Sequence, residues 1–133
     1  MPINAIVIVQ TTVASRRDAR RLAGLMVKAR MAACVQVIPI HSTYRWHNKV
    51  EQSSEWLLAA KTQSVRTKAL MTFIRRHHPY AVPEIMALRV TQVLPAYRQW
   101  VLRETKSGRS IRSSIHPKQG IPAPQSPAPR RRL

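Results

Sequence analysis

Residues 3–11 (INAIVIVQT) form an almost unbroken β-branched run, too short for a buried helix. Such a run predicts a central strand covered on both faces. The period then changes. Ser15 stands three residues before Asp18, as in a capping box, and Ala19, Leu22, Ala23, Met26 and Ala29 follow at helical spacing. From Cys34 to Trp46 the pattern turns extended, Val35 and Val37 alternating with Gln36. Pro39 lacks an N–H for a ladder, so it marks a bulge or an edge. His47-Asn48 has turn chemistry, because Asn tolerates the left-handed backbone of a tight hairpin. Val50 to Thr62 returns as a second long strand, buried around residues 56–60.

Ser64 is placed to cap a second helix over residues 65–78, in which Leu70, Phe73, Ile74 and His77 share a stripe. Residues 84–91 (EIMALRVT) alternate as a fourth strand. Pro95 suits the first turn of a short third helix, with Tyr97, Trp100, Val101 and Glu104 on one face. The order β-α-β-β-α-β plus a terminal helix defines an α+β sandwich of the split βαβ kind. One antiparallel sheet is expected, with the helices packed on one face. The pattern stops after Thr105. Residues 106–133 carry five prolines and a terminal Arg-Arg-Arg, and they read as a disordered basic tail beside a single domain, 1–105.

Charge changes this picture less than its size suggests. The 23 Lys and Arg residues against 5 Asp and Glu give a net charge of +18, of which the tail holds seven. A chain this basic attracts polyanions at low salt whatever its role, so the charge is weak evidence for nucleic-acid function. The arginines at 16, 17, 20 and 21 read first as a solvated helix face. Cys34 is the only cysteine, which excludes an internal disulfide and a zinc-finger framework. No run approaches membrane-spanning length, and residues 1–5 lack the basic flank of a signal peptide, so a cytoplasmic protein is expected.

The densest chemistry lies in His77-His78-Pro79-Tyr80-Ala81-Val82-Pro83-Glu84. Pro79 cannot continue a helix and biases His78 away from helical geometry, so this is a stiff corner between helix and strand. Imidazole suits copper, zinc and nickel, which makes His77 and His78 the first metal-ligand candidates, with Glu84 behind them. Adjacent helical residues point about 100° apart. The two rings therefore chelate together only if the helix unwinds at His78, or if several chains converge. The competing reading packs one ring on the core stripe and lets the other cap the helix C-terminus. Cys34, among alanines and valines, reads as a buried inert thiol. His41 and His47 read as solvent-facing.

Ala32-Ala33-Cys34-Val35-Gln36-Val37-Ile38, Ser42-Thr43-Tyr44-Arg45-Trp46, Lys61-Thr62, His77-His78-Pro79-Tyr80, Val82-Pro83-Glu84 and Tyr97-Arg98-Gln99-Trp100 occur in one order along the chain. Together they resemble the CutA family of divalent-cation tolerance proteins, from about residue 4 to 105. The resemblance implies a ferredoxin-like fold, a tight homotrimer with the long hairpin reaching a neighbouring subunit, and a role in metal tolerance with copper or another divalent ion bound. It also implies a cleft between subunits lined by Tyr44, Trp46, Lys61, Tyr80 and Glu84. Some metal-binding members carry a cysteine where this chain has Gln10, and an amide is a poor ligand for a soft metal.

An enzyme is not expected, since there is no phosphate loop, dinucleotide turn or nucleophile elbow, and five acids give little material for paired-carboxylate chemistry. The alternative function is a nucleic-acid-binding module. The same fold carries RNA-recognition domains. Those stack bases on aromatics of the central strands, and residues 3–11 and 84–91 contain none. What is left is non-specific attraction of phosphate by the arginines.

Overall fold

The computed structural model describes residues 4–106. Its elements are β1 (Ile6–Val13), α1 (Arg16–Lys28), β2 (Cys34–Trp46), β3 (Lys49–Gln63), α2 (Thr67–His77), β4 (Ile85–Arg89) and α3 (Pro95–Glu104). The sheet order is β2-β3-β1-β4, antiparallel at every pairing. This is the split βαβ order expected. The tail expected beyond Lys106 lies outside the described residues.

α1 begins where the capping pattern puts it, Ser15 Oγ accepting the Asp18 N–H at 3.0 Å. Its stripe of Ala19, Leu22 and Met26 packs with Leu70 and Ile74 of α2 onto Val7, Val9, Val13, Leu58 and Ala60 of the sheet. Each fully buried Leu, Ile or Met there contributes roughly 1.5–3 kcal/mol. The arginines of α1 lie outward, as expected of a solvated face.

Ser64 does not cap α2. Its N–H is held by the Ala5 carbonyl at 2.8 Å, which extends the sheet by one step. The chain therefore passes through a single 3₁₀ turn, Ser64–Arg66, before α2 starts at Thr67. The helices also divide between the two faces of the sheet, contrary to the expectation of one. Strand side chains alternate, so Gln63 and Cys34 point away from the face that Thr62 and Val35 share with α1 and α2. Gln63 Nε2 donates to Thr105 Oγ1 at 2.8 Å, and Cys34 is close enough to the Tyr97 phenol to raise its pKa. α3 thus docks on the opposite face, at the end near Gln63.

The rest of that opposite face is bare in the single chain, so β1 is fully covered on one side only. Ile8 and Gln10 are half-buried, while Ile38, Met86 and Leu88 are 47%, 45% and 43% exposed. The hairpin register runs unbroken from Cys34↔Lys61 to Trp46↔Lys49, which puts Pro39 on an outer edge with no bulge. β1 ends at Val13, opposite Trp56. Beyond it, residues 40–46 and 49–55 continue as a two-stranded ribbon of roughly 20 Å. At its tip both His47 (φ 48) and Asn48 (φ 64) are left-handed. Two such residues in succession fit a type I′ turn.

Candidate functional site

Pro79 ends α2 as its ring chemistry requires, and His78 leaves the helix extended, at φ −84 and ψ 137. That one torsion separates the two imidazoles. His77 stays on the helix, its Nδ1–H donating to the Phe73 carbonyl at 2.9 Å, its ring 4.4 Å from that of Phe73. The proton on Nδ1 leaves a lone pair on Nε2, and no hydrogen bond among the described residues reaches that atom. His78 turns onto the end of β1. Its Nε2–H donates to the Thr12 carbonyl at 2.9 Å and lies 3.1 Å from Thr11 Oγ1, while Nδ1 accepts the Tyr80 N–H at 3.1 Å. Burial holds the His78 pKa below its usual value, against the opposing pull of its bond to Thr12. His77 is free to coordinate through Nε2. His78 can do so only by giving up a bond that positions the corner.

The same corner closes one side of a cleft of about 440 Å³ lined by Thr12, Tyr44, Trp46, Ser53, Glu55, Tyr80, Ala81, Val82 and Glu84. Tyr80 donates its hydroxyl to Glu55 Oε2 at 2.9 Å, and Ser42 donates to Glu55 Oε1 at 2.8 Å. Burial, then the Glu55 bond and charge, push the Tyr80 phenol well above its ordinary pKa, so it remains a neutral donor. Gln10 Nε2 donates to Glu84 Oε2 at 3.0 Å. Tyr44, Trp46, Tyr80 and Glu84, expected in a cleft between subunits, therefore meet within one chain, and Glu55 joins them unforeseen. Its signal was the spacing of the hairpin, which sets Glu55 on the face that also carries Tyr44.

Lys61 does not line this cleft within the single chain. It lies six residues along β3 from Glu55, about 20 Å at strand rise, where it donates to Gln36 Oε1. Burial lowers its pKa, partly offset by Cys34 directly across the ladder. Cys34 is half-buried rather than enclosed. Burial, then the neighbouring Cys34, push the Tyr97 phenol up to about 12. His41 and His47 are exposed, as expected. Among the described residues no three His, Cys, Asp or Glu side chains are grouped to hold a metal ion, and no helix is long and apolar enough to cross a membrane.

A family model described as CutA1 divalent ion tolerance protein matches residues 7–104. Protein CutA of Mus musculus is 44% identical over 97 residues, covering 72% of this chain and 55% of its own length. Divalent-cation tolerance protein CutA of Thermus thermophilus is 37% identical over 99 residues, covering 74% of this chain and 96% of its own. The solved structure of CutA from Synechococcus elongatus PCC7942 superposes with a TM-score of 0.76 at 32% identity, over 80% of this chain and 95% of that one. This chain spans about half the length of the first curated relatives it matches.

Proposed function

The chain belongs to the CutA1 divalent ion tolerance family, and from that premise we propose that it acts in tolerance of divalent cations by binding them, without catalysis, as a homotrimer in the cytoplasm. The observation that carries the metal reading is the 2.9 Å contact of His77 Nδ1 with the Phe73 carbonyl. An imidazole whose Nδ1–H is held by a backbone carbonyl presents Nε2 as a ligand atom, the arrangement that metal-binding histidines use. Copper(II) is the first candidate, since it stands highest among divalent first-row metals for nitrogen donors. His78 orders the corner and takes a secondary place as ligand. Glu84 is an oxygen donor at the far end of the same corner. Gln10, bound to Glu84, offers a soft ion nothing.

The trimer is supported by two features of one face. Ile38, Met86 and Leu88 leave an apolar surface on the open side of the sheet, and a two-stranded ribbon projecting past the sheet is marginal alone in water. Both are relieved by neighbours that cover the face and receive the hairpin. The nucleic-acid reading draws no support from the comparisons, and β1 and β4 hold no aromatic on which a base would stack.

Calorimetric titration of the full chain with copper(II), with particle mass from light scattering, tests the proposal. The expected result is saturable binding on a trimeric particle, lost in His77→Ala. Affinity unchanged in His77→Ala would move the ion elsewhere, and a monomeric mass would remove the trimer. Cell fractionation checks the location.

A further inference from the structure

The outer face of α1 and α2 lies on the side of the sheet opposite Ile38, Met86 and Leu88, so the proposed trimer leaves it open. Its charge is segregated. These two helices hold a single acid, Asp18, while the other four acids lie in β3, the 78–84 corner and α3. Arg21 sits on the side of α1 towards α2, its Nη2 donating to the His77 carbonyl at 3.2 Å. Arg16 sits on the other side, its guanidinium 6.0 Å from the centre of the Trp56 ring on β3. Arg17 and Arg20 fall between them on the outward half-turn. On α2, Arg75 turns with Met71 and Thr72 to the hollow beside Ile85, which leaves Arg76, about 100° further round, on the side of α1. The result is a band of exposed arginines, Arg76, Arg21, Arg17, Arg20 and Arg16, running across the two helices.

Solvation alone does not account for this band. Arg76 is favoured at the C-terminus of α2 by the helix dipole, but Arg16 and Arg17 open α1, where the dipole disfavours positive charge. Among the described residues only Arg21 of the five has an ion pair, a 3.9 Å contact with Asp18. The chain cannot supply the missing anion: residues 106–133 carry seven basic groups and no acid, and a second copy presents the same band. Val27, at the far end of α1, is the only large apolar side chain exposed on either helix. A bilayer therefore finds no anchor here, and a base finds no exposed aromatic on which to stack. Binding rests on charge. Guanidinium forks match phosphate, and a nucleic-acid duplex carries one charge per about 1.7 Å of its axis. Even an all-acidic extended peptide presents only one per about 3.4 Å.

We propose that the arginine band across α1 and α2 docks the phosphate backbone of a nucleic-acid duplex without reading its bases. The contact lies opposite the sheet face on which RNA-recognition domains stack bases, so the lack of aromatics in β1 and β4 does not bear on it. It depends on neither the metal reading nor the trimer.

The probe is a fluorescein-labelled DNA duplex of arbitrary sequence, titrated with the full chain by fluorescence anisotropy at about 0.15 M salt and above. One variant carries Arg17→Gln with Arg20→Gln, at exposed helical positions that glutamine suits. The other carries Arg130→Gln with Arg131→Gln, which removes the same charge outside the two helices. The expected result is saturable binding whose logarithm falls linearly with that of the salt concentration. The α1 variant should weaken it at least tenfold and flatten the salt slope by about 2. The second variant should change both much less, with circular dichroism unchanged in each. Equal losses from the two variants, or no binding at about 0.15 M salt, overturn the proposal. So does equally tight binding of a single strand or of polyglutamate of matched charge, or a preference for phosphatidylserine vesicles. A chain that binds copper(II) but no duplex would sink this proposal and leave the metal reading standing, and the converse holds equally.

Discussion

Replacing His78 by alanine should destabilise the domain more than replacing His77, although the two are neighbours. The His78 ring ties its own corner, through the Tyr80 N–H, to the end of β1 some 66 residues earlier, at the Thr12 carbonyl and Thr11 Oγ1. Alanine leaves that carbonyl and that N–H without their partner in a half-buried place. At roughly 1 kcal/mol net for each bond, the loss is about 2 kcal/mol. His77→Ala removes a single bond, within its own helix, to the Phe73 carbonyl and one ring contact, a cost of about 1 kcal/mol. Urea unfolding at a single fixed protomer concentration reads both, the fixed concentration being needed because the proposed assembly would be linked to folding. With a slope of about 1–2 kcal/mol per molar for a chain of this size, His78→Ala should lower the midpoint by about 1–2 M and His77→Ala by about half of that.

The pH dependence sharpens the test. His78 accepts the Tyr80 N–H through Nδ1 only as the neutral ring, and burial depresses its pKa in the folded state. Its contribution is therefore fully present above the unfolded value of about 6.5, and it is lost as pH falls below that towards the depressed folded value. The gap between wild type and His78→Ala should be widest near pH 7.5 and shrink by pH 5. Equal costs for the two alanines, or a gap that grows on acidification, would refute the assignment of His78 as the group that ties the corner to β1.

Two further perturbations address the hairpin and the open face. Asn48→Gly should be nearly neutral, because glycine enters the left-handed region freely, while Asn48→Val should cost about 1–2 kcal/mol in urea unfolding at constant protomer concentration. An equal cost for both would show that the turn is not held left-handed. Met86→Lys with Leu88→Lys should convert the proposed trimer to smaller species by light scattering while the far-ultraviolet circular dichroism stays unchanged, since both side chains lie outside the buried core. A particle of unaltered mass would mean that this face is not the interface.

Most of the fold was legible because its signals are local. Ser15 with Asp18 starts α1, the period of Ala19, Leu22 and Met26 gives its buried side, and Pro79 stops α2. Two expectations failed for reasons outside their own segments. Ser64 has a good capping side chain, but its N–H pairs with Ala5 at the sheet end and a 3₁₀ turn over Ser64–Arg66 follows, so α2 starts only at Thr67 with Arg66 in the cap position. α3 has a weaker apolar side than α1 and α2 and buries only Val101, and such a side does not say which face of a sheet it will cover. Gln63 and Cys34 decide that, by pointing down to α3 from the side opposite the core.

The cleft shows where reading a sequence can be extended and where it ends. A two-residue turn at His47-Asn48 fixes the whole ladder: once it is recognised, Ile40 must face Glu55 and Tyr44 must face Glu51. Side chains two apart share a face, so Glu55, Ser53 and Tyr44 belong to one side of the sheet by arithmetic alone. Glu55 could have been found in this way. The partner that completes it could not. Tyr80 reaches Glu55 only because Pro79 sends His78 into an extended torsion and His78 then grips Thr11 and Thr12, some 66 residues earlier. The proline announces that the chain turns, but the direction of the turn rests on which groups at the end of β1 remain unpaired after the sheet has formed. That makes the imidazole least suited to metal the one that shapes the cleft, and it ties the geometry of Glu55 and Tyr80 to the protonation state of His78.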